Sequence, residues 1–200
     1  IRIYAKSSTI FYGSDTPAAN SQHPLTDAGS RYQLPEDVIG LDNEDEIYFL
    51  SVLNIMRGYP DGTFLPDGYI TRAEFASIAA KMLNLNTHSN GNAFADVTSE
   101  HWAYDSVQSC YDLGLINGVG DKRYEPDADV SYNEAVKIIV SALGYNDAAM
   151  QYGGYPDGYL KIAYSLRILD KVAEDDGKIT RANIAQLCYN SLFAELRTGC

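Results

Sequence analysis

Gly58-Tyr-Pro-Asp-Gly-Thr-Phe-Leu-Pro66, followed by Ile70-Thr-Arg-Ala-Glu74, comes back as Gly118-Val-Gly-Asp-Lys-Arg-Tyr-Glu-Pro126 followed by Val130-Ser-Tyr-Asn-Glu134. The second half of the unit returns once more as Ile179-Thr-Arg-Ala-Asn183. The distance from Gly58 to Ile70 equals that from Gly118 to Val130, and an aromatic and then a proline stand at matching offsets inside both loops. An internal repeat of roughly 50 to 60 residues shifts attention from a single active site to several related surfaces.

Each repeat reads as helix, loop, helix. From Glu44 a short apolar helix runs to a stop before Gly58. After the loop, Thr71 with Glu74 three residues on makes a capping box, and Phe75, Ile78, Ala79 and Met82 form one buried face. The second unit predicts a helix from about Trp102 to Leu113, then Ser131 and Glu134 as a capping box before Ala135, Ile138, Ile139 and Ala142. The third predicts Leu160 to Leu169, a shorter loop, and a helix opened by Thr180 with the stripe Ile184, Leu187, Cys188 and Ser191. The stripes align as Phe75/Ala135/Ile184, Ile78/Ile138/Leu187 and Ala79/Ile139/Cys188. Three equivalent helices around a pseudo-threefold axis would bury one shared centre that no repeat could build alone.

The expected fold is therefore all-α, three helix-loop-helix repeats in a pseudo-threefold spindle. Residues 1–40 read as an N-terminal extension, irregular or with short strands, and 41–200 as the triple-repeat domain, with repeats near 41–86, 93–145 and 152–197. The chain opens on Ile1 rather than methionine, the pattern expected of a mature or excised fragment.

Composition excludes several function classes. A formal charge of -12 disfavours generic attraction to nucleic acid or to an anionic membrane. No apolar run approaches the ~18 residues of a membrane span, so membrane insertion is not expected. Cys110, Cys188 and Cys200 lack ligand spacing, and so do His23, His88 and His101, so neither a metal site nor any cofactor is expected. Cys110 and Cys188 read as small core hydrophobes. The 16 tyrosines suit a sugar-like surface or a core edge equally well. Asp67, Gly68, Ile70 and Glu74 imitate the second half of a calcium loop, but Thr63 and Leu65 stand where its first carboxylates belong. There is no nucleophile elbow and no phosphate-cradling loop, so catalysis is not expected.

On its loop motifs, with Phe94-Ala-Asp-Val97, His101-Trp-Ala103 and Ile179-Thr-Arg-Ala182, the chain resembles the S-layer homology domain over roughly residues 38–197. That resemblance implies a noncatalytic module outside a bacterial cell, in the cell wall or surface layer. It implies binding of an anionic, pyruvylated secondary cell-wall polysaccharide, with other surface-layer proteins as further candidate partners. The alternative is an S-layer-homology-like structural or protein-interaction module that has lost glycan binding.

Arg72 and Arg181 are the leading site residues. Each sits one residue into a helix, where a cation opposes the helix dipole, and guanidinium beside helix N–H donors suits a carboxylate. The alternative is that each arginine pairs with a nearby carboxylate and braces the loop. Thr71 and Gly58 are expected beside Arg72 in the best groove and Thr180 beside Arg181 in a second, with Gly118 as the second repeat's counterpart of Gly58. Both glycines read first as turn residues. Trp102 reads equally as a wall between repeats or as a core anchor. The repeats also diverge: Tyr132 replaces the arginine in repeat two, while repeat three has Asn183 and Lys171 in place of the glutamate and glycine. Repeat one has Glu36-Asp-Val-Ile-Gly40 in place of the Phe-x-Asp-Val and Trp elements.

Overall fold

A computed structural model describes residues 33–85 and 91–197. The short strands expected near the N-terminus fall outside the described residues. Among those described are a 3-10 turn, Glu36–Val38, and seven α-helices: α1 Glu44–Val52, α2 Arg72–Met82, α3 Tyr104–Asp112, α4 Tyr132–Ala142, α5 Asn146–Gln151, α6 Asp157–Ser165 and α7 Arg181–Leu192. The fold is all-α, and among the described residues extended pairing is limited to isolated bridges. The sequence pattern makes α3 about three residues too long and sets α6 about three residues too far along, and it does not predict α5.

α2, α4 and α7 are the equivalent second helices, and the three stripes are buried as aligned. α4 packs on both α2 and α7. Ala79, Ile139 and Ser191 meet around one small central void. Thr71 and Ser131 both form complete capping boxes with Glu74 and Glu134, and Thr180 accepts from the amide of Asn183.

The two helices of one sequence repeat are not each other's main partners. α3 of repeat two packs on α2 of repeat one, α6 of repeat three on α4 of repeat two, and α1 of repeat one on α7 of repeat three. Each prong thus joins the second helix of one repeat to the first helix of the next, and the α1–α7 prong closes the ring. Such an exchange makes all three repeats necessary to bury any one of them.

The same cyclic order satisfies the helix starts. The amides of Arg72 and Ala73 donate to the carbonyls of Ala128 and Pro126, at 2.8 and 3.0 Å. Those of Arg181 and Ala182 donate to Gly68 and Pro66, at 2.8 and 2.9 Å, and that of Tyr132 donates to Gly177. Every second helix is therefore capped by the loop of the following repeat, which fills donors that its own helix cannot. Around the axis, the equivalent residues Tyr69, Asp129 and Lys178 lie in three isolated bridges. The Lys178 ammonium bonds Asp129 at 3.0 Å and sits 4.5 Å from the centre of the Tyr69 ring.

The loops of the first two repeats are fastened by one aspartate each. Asp96 accepts from the amides of Tyr124 and Glu125, and Asp37 accepts in the same way from Phe64 and Leu65. Glu36-Asp-Val is thus the first repeat's version of Ala95-Asp-Val, with Val38 and Val97 buried beside the aspartates. Residues 36–38 therefore pack as part of repeat one rather than as an extension to it. Burial pushes the Asp96 pKa up, but the amides of Tyr124 and Glu125 outweigh it and hold the group below its ordinary 3.8. A depressed carboxylate pKa contributes stability that is present above the unfolded-state value and is lost as pH falls through the folded-state value. Asp96→Asn is expected to cost about 1.5–3 kcal/mol at pH 7. In urea unfolding at a series of pH values, the gap from wild type should narrow below pH 3.8.

Candidate functional site

The cyclic exchange carries each arginine out of its own repeat. Arg72, on α2 of repeat one, reaches the loop of repeat two. Its Nε donates to the Tyr124 carbonyl at 2.8 Å, Nη2 donates to the Asn117 carbonyl at 3.0 Å, and Nη1 pairs with Glu134. Arg181, on α7, does the same to repeat one, with Nε on the Phe64 carbonyl at 2.8 Å and Nη2 on the Arg57 carbonyl at 3.0 Å. The guanidinium carbons lie 4.6 Å from the Tyr124 ring centre and 4.4 Å from that of Tyr59. Arg72 therefore shares a groove with Gly118, and Arg181 reaches the Arg57 carbonyl just before Gly58, which corrects the expected pairing of Arg72 with Gly58. Thr71 and Thr180 stand at the matching helix starts as caps, with their hydroxyl oxygens engaged by the amides of Glu74 and Asn183.

A second correction concerns the helix N-termini. The amides beside each arginine are not available to an anion: those of Arg72, Ala73 and Glu74 already donate to Ala128, Pro126 and Thr71 Oγ1, and α7 repeats the pattern. The carboxylate receptor expected from free N–H groups is closed by the neighbouring loop.

Two grooves result. The first holds Arg181 with Arg57, Tyr59, Glu74 and Lys81, and Trp102 forms one wall. The second is a cavity of about 360 Å³ holding Arg72, Gly118, Val119, Glu134, Lys137 and Tyr155. Trp102 is 65% exposed, so the core-anchor reading of this residue does not hold. Aligning Leu113 with Leu166 brings Trp102 onto Tyr155, which is 55% exposed and lines the other groove. Each groove thus draws an arginine, a loop and an aromatic from three different repeats. Tyr155 and Lys137 were missed at the level of sequence, although the alignment of the third repeat carried the signal for Tyr155.

The grooves differ in how the arginine meets its glutamate because of one equivalent pair, Tyr59 and Val119. The Tyr59 hydroxyl donates to Glu74 Oε1 at 2.8 Å, and Arg181 Nη1 stays 3.9 Å from that oxygen. Burial, helped by the bond to Glu74, pushes the Tyr59 phenol to about 12, so it remains a donor at neutral pH. Valine cannot make that bond, and Glu134 Oε1 closes directly on Arg72 while Oε2 takes the Ser131 amide. Burial lowers the Arg181 pKa, opposed by Tyr59 and Glu74.

At the third position both charges are gone. Tyr132 is buried, its phenol raised first by burial and then by nearby Tyr164 and Glu174. Asn183 accepts from the Ala173 amide and donates to Thr180. Loss of the cation and of its carboxylate together avoids leaving a partly buried glutamate without its counter-ion. Glu74, the twelfth residue of the calcium-like loop, is engaged by the Thr71 amide and Tyr59.

Gly58 and Gly118 owe their identity to packing within their own repeats. A Cβ on Gly118 would lie 2.6 Å from the Arg123 carbonyl oxygen and 2.7 Å from the Phe94 ring, and one on Gly58 would lie 2.7 Å from the Thr63 carbonyl oxygen and 2.8 Å from Pro35. Gly118→Ala should therefore destabilise by about 1–3 kcal/mol, read as a lowered thermal midpoint. Arg72→Tyr alone should cost about 3 kcal/mol by stranding Glu134. Adding Glu134→Asn, which copies the third position, should recover about 1 kcal/mol or more in a double-mutant cycle on urea unfolding.

The S-layer homology domain model matches residues 36–76 and 93–136. The middle cell wall protein of Brevibacillus brevis is 30% identical over 159 residues, 78% of this chain and 15% of that protein. A cell surface protein of Thermoanaerobacter kivui is 31% identical over 149 residues, 72% of this chain and 19% of the relative. The cellulosome-anchoring protein of Acetivibrio thermocellus is 33% identical over 123 residues, 56% of this chain and 27% of the relative. The chain thus spans between 15% and 27% of the length of these relatives. With matching loops, capping boxes and aspartate fastenings in the first two repeats, the chain belongs to the S-layer homology domain family.

Proposed function

We infer that this chain is a noncatalytic cell-surface anchoring module, working outside a bacterial cell by holding an anionic, pyruvylated secondary cell-wall polysaccharide in its two charged grooves. The observation that carries this reading is the pairing, in each groove, of a buried arginine with an exposed aromatic from another repeat, Arg181 with Trp102 and Arg72 with Tyr155. An aromatic face for a sugar ring beside a few convergent polar groups is the usual composition of a small-ligand site. Relatives named for the cell wall, the cell surface and cellulosome anchoring support the location. None of the described helices is long and apolar enough to cross a membrane.

The second reading, a structural or protein-interaction module that no longer binds glycan, draws on one observation. All three nitrogens of Arg72 already have acceptors inside the protein. A pull-down on purified sacculi, with and without their attached polysaccharide, separates the two. Polymer-dependent retention is expected, and Trp102→Ala should lower it about tenfold, since one well-placed aromatic contributes roughly that much. Because Trp102 is 65% exposed, its thermal midpoint should stay near that of wild type. A folded wild type that ignores the polymer would establish the structural module instead.

A further inference from the structure

The two grooves share an arginine and a glutamate yet offer a ligand different cations. In the second groove Glu134 is held on one oxygen by its own capping box and closes on Arg72 with the other. The remaining nitrogens of Arg72 face the carbonyls of Tyr124 and Asn117. An incoming carboxylate would have to displace Glu134, and moving Glu134 would open the helix cap at Ser131. One turn further along α4, Lys137 lines the same cavity, half-buried, and among the described residues its Nζ has a single acceptor, the Leu115 carbonyl at 2.7 Å. An ammonium has three donors, so two remain to face the cavity. The walls around it are apolar: Val119, Ile138, Met150 and Tyr155. In the first groove the Tyr59 hydroxyl occupies Glu74 and also faces Arg181, whose Nη1 stays 3.9 Å from the Glu74 carboxylate.

Resting on the anchoring reading, we propose that the second groove takes the carboxylate of an acidic saccharide on Lys137, with Arg72 acting as a positioning residue, whereas the first groove takes it on Arg181. Two substitutions separate the two modes: Val119 in place of Tyr59, and Lys137 where the first groove has Ser77. An ammonium beside the closed Arg72–Glu134 pair, with apolar walls around it, suits a sugar that carries one carboxylate and presents an apolar face to Tyr155 and Met150.

The test titrates the full chain with polysaccharide released from sacculi, native or with its carboxyl groups reduced to alcohols, and compares wild type with Lys137→Gln and Lys137→Arg. Loss of a charge-assisted hydrogen bond should weaken Lys137→Gln about tenfold at unchanged thermal midpoint, while Lys137→Arg should stay close to wild type. The gap between wild type and Lys137→Gln should vanish on the carboxyl-reduced polymer. Equal affinity of wild type and Lys137→Gln for the native polymer would overturn the assignment of Lys137. A gap that persists on the reduced polymer would overturn the carboxylate in favour of a phosphate. Failure of wild type to bind the native polymer at all would instead defeat the anchoring reading, and the assignment of Lys137 with it.

Discussion

The first amides of an α-helix have no acceptor within their own helix, and in this protein that requirement organises the molecule. α2, α4 and α7 each begin against the loop of the next repeat, whose carbonyls take the orphan N–H groups. The order runs from repeat one to two, two to three and three back to one. Because the loops serve as caps, they must be rigid, and Asp37 and Asp96 fasten two of them through paired backbone amides. Rigid loops in turn place the carbonyls of Phe64, Arg57, Tyr124 and Asn117 where an arginine can span them. Stability and groove geometry therefore share the same atoms.

This sharing explains how the repeats diverge. The arginine and the glutamate of one clamp come from different repeats, so a change in either needs an answer in the other. Tyr132 and Asn183 are such a matched pair, and the third position survives as a neutral packing contact. The exchange of Tyr59 for Val119 is smaller but alters which carboxylate oxygen the arginine meets. One backbone frame thereby carries a loosely paired guanidinium, a tightly paired one and a position with no charge.

Much of this was legible in the linear sequence. Capping residues, buried stripes and the repeat period are short-range patterns, and Thr71 with Glu74, Ser131 with Glu134, and the three aligned stripes are found as read. The first helix of repeat three was placed late because its start, at Pro156 and Asp157, lacks a capping side chain, so periodicity alone set its boundary. α5 is only six residues long, too short for periodicity to reveal. Among the site residues, Arg72 and Arg181 were recognised as cations at helix starts. Their partners were not, since Asn117 and Tyr124 lie about 50 residues from Arg72, and Arg57 and Phe64 more than 100 from Arg181.

By itself the sequence determined the repeated helix pairs, the caps of α2, α4 and α7, the shared apolar centre and the family, because these follow from residues a few positions apart or from a motif repeated at a fixed period. Only the tertiary structure decided that the prongs form across repeats, that Arg72 shares a groove with Gly118 and Arg181 reaches the Arg57 carbonyl just before Gly58, and that the helix N–H groups are closed to a ligand. It also set the exposure of Trp102 and Tyr155. The physical reason is that a helix end and a guanidinium each need several acceptors at once. No repeat supplies them from its own backbone, and the neighbour that does is chosen by the closure of the ring.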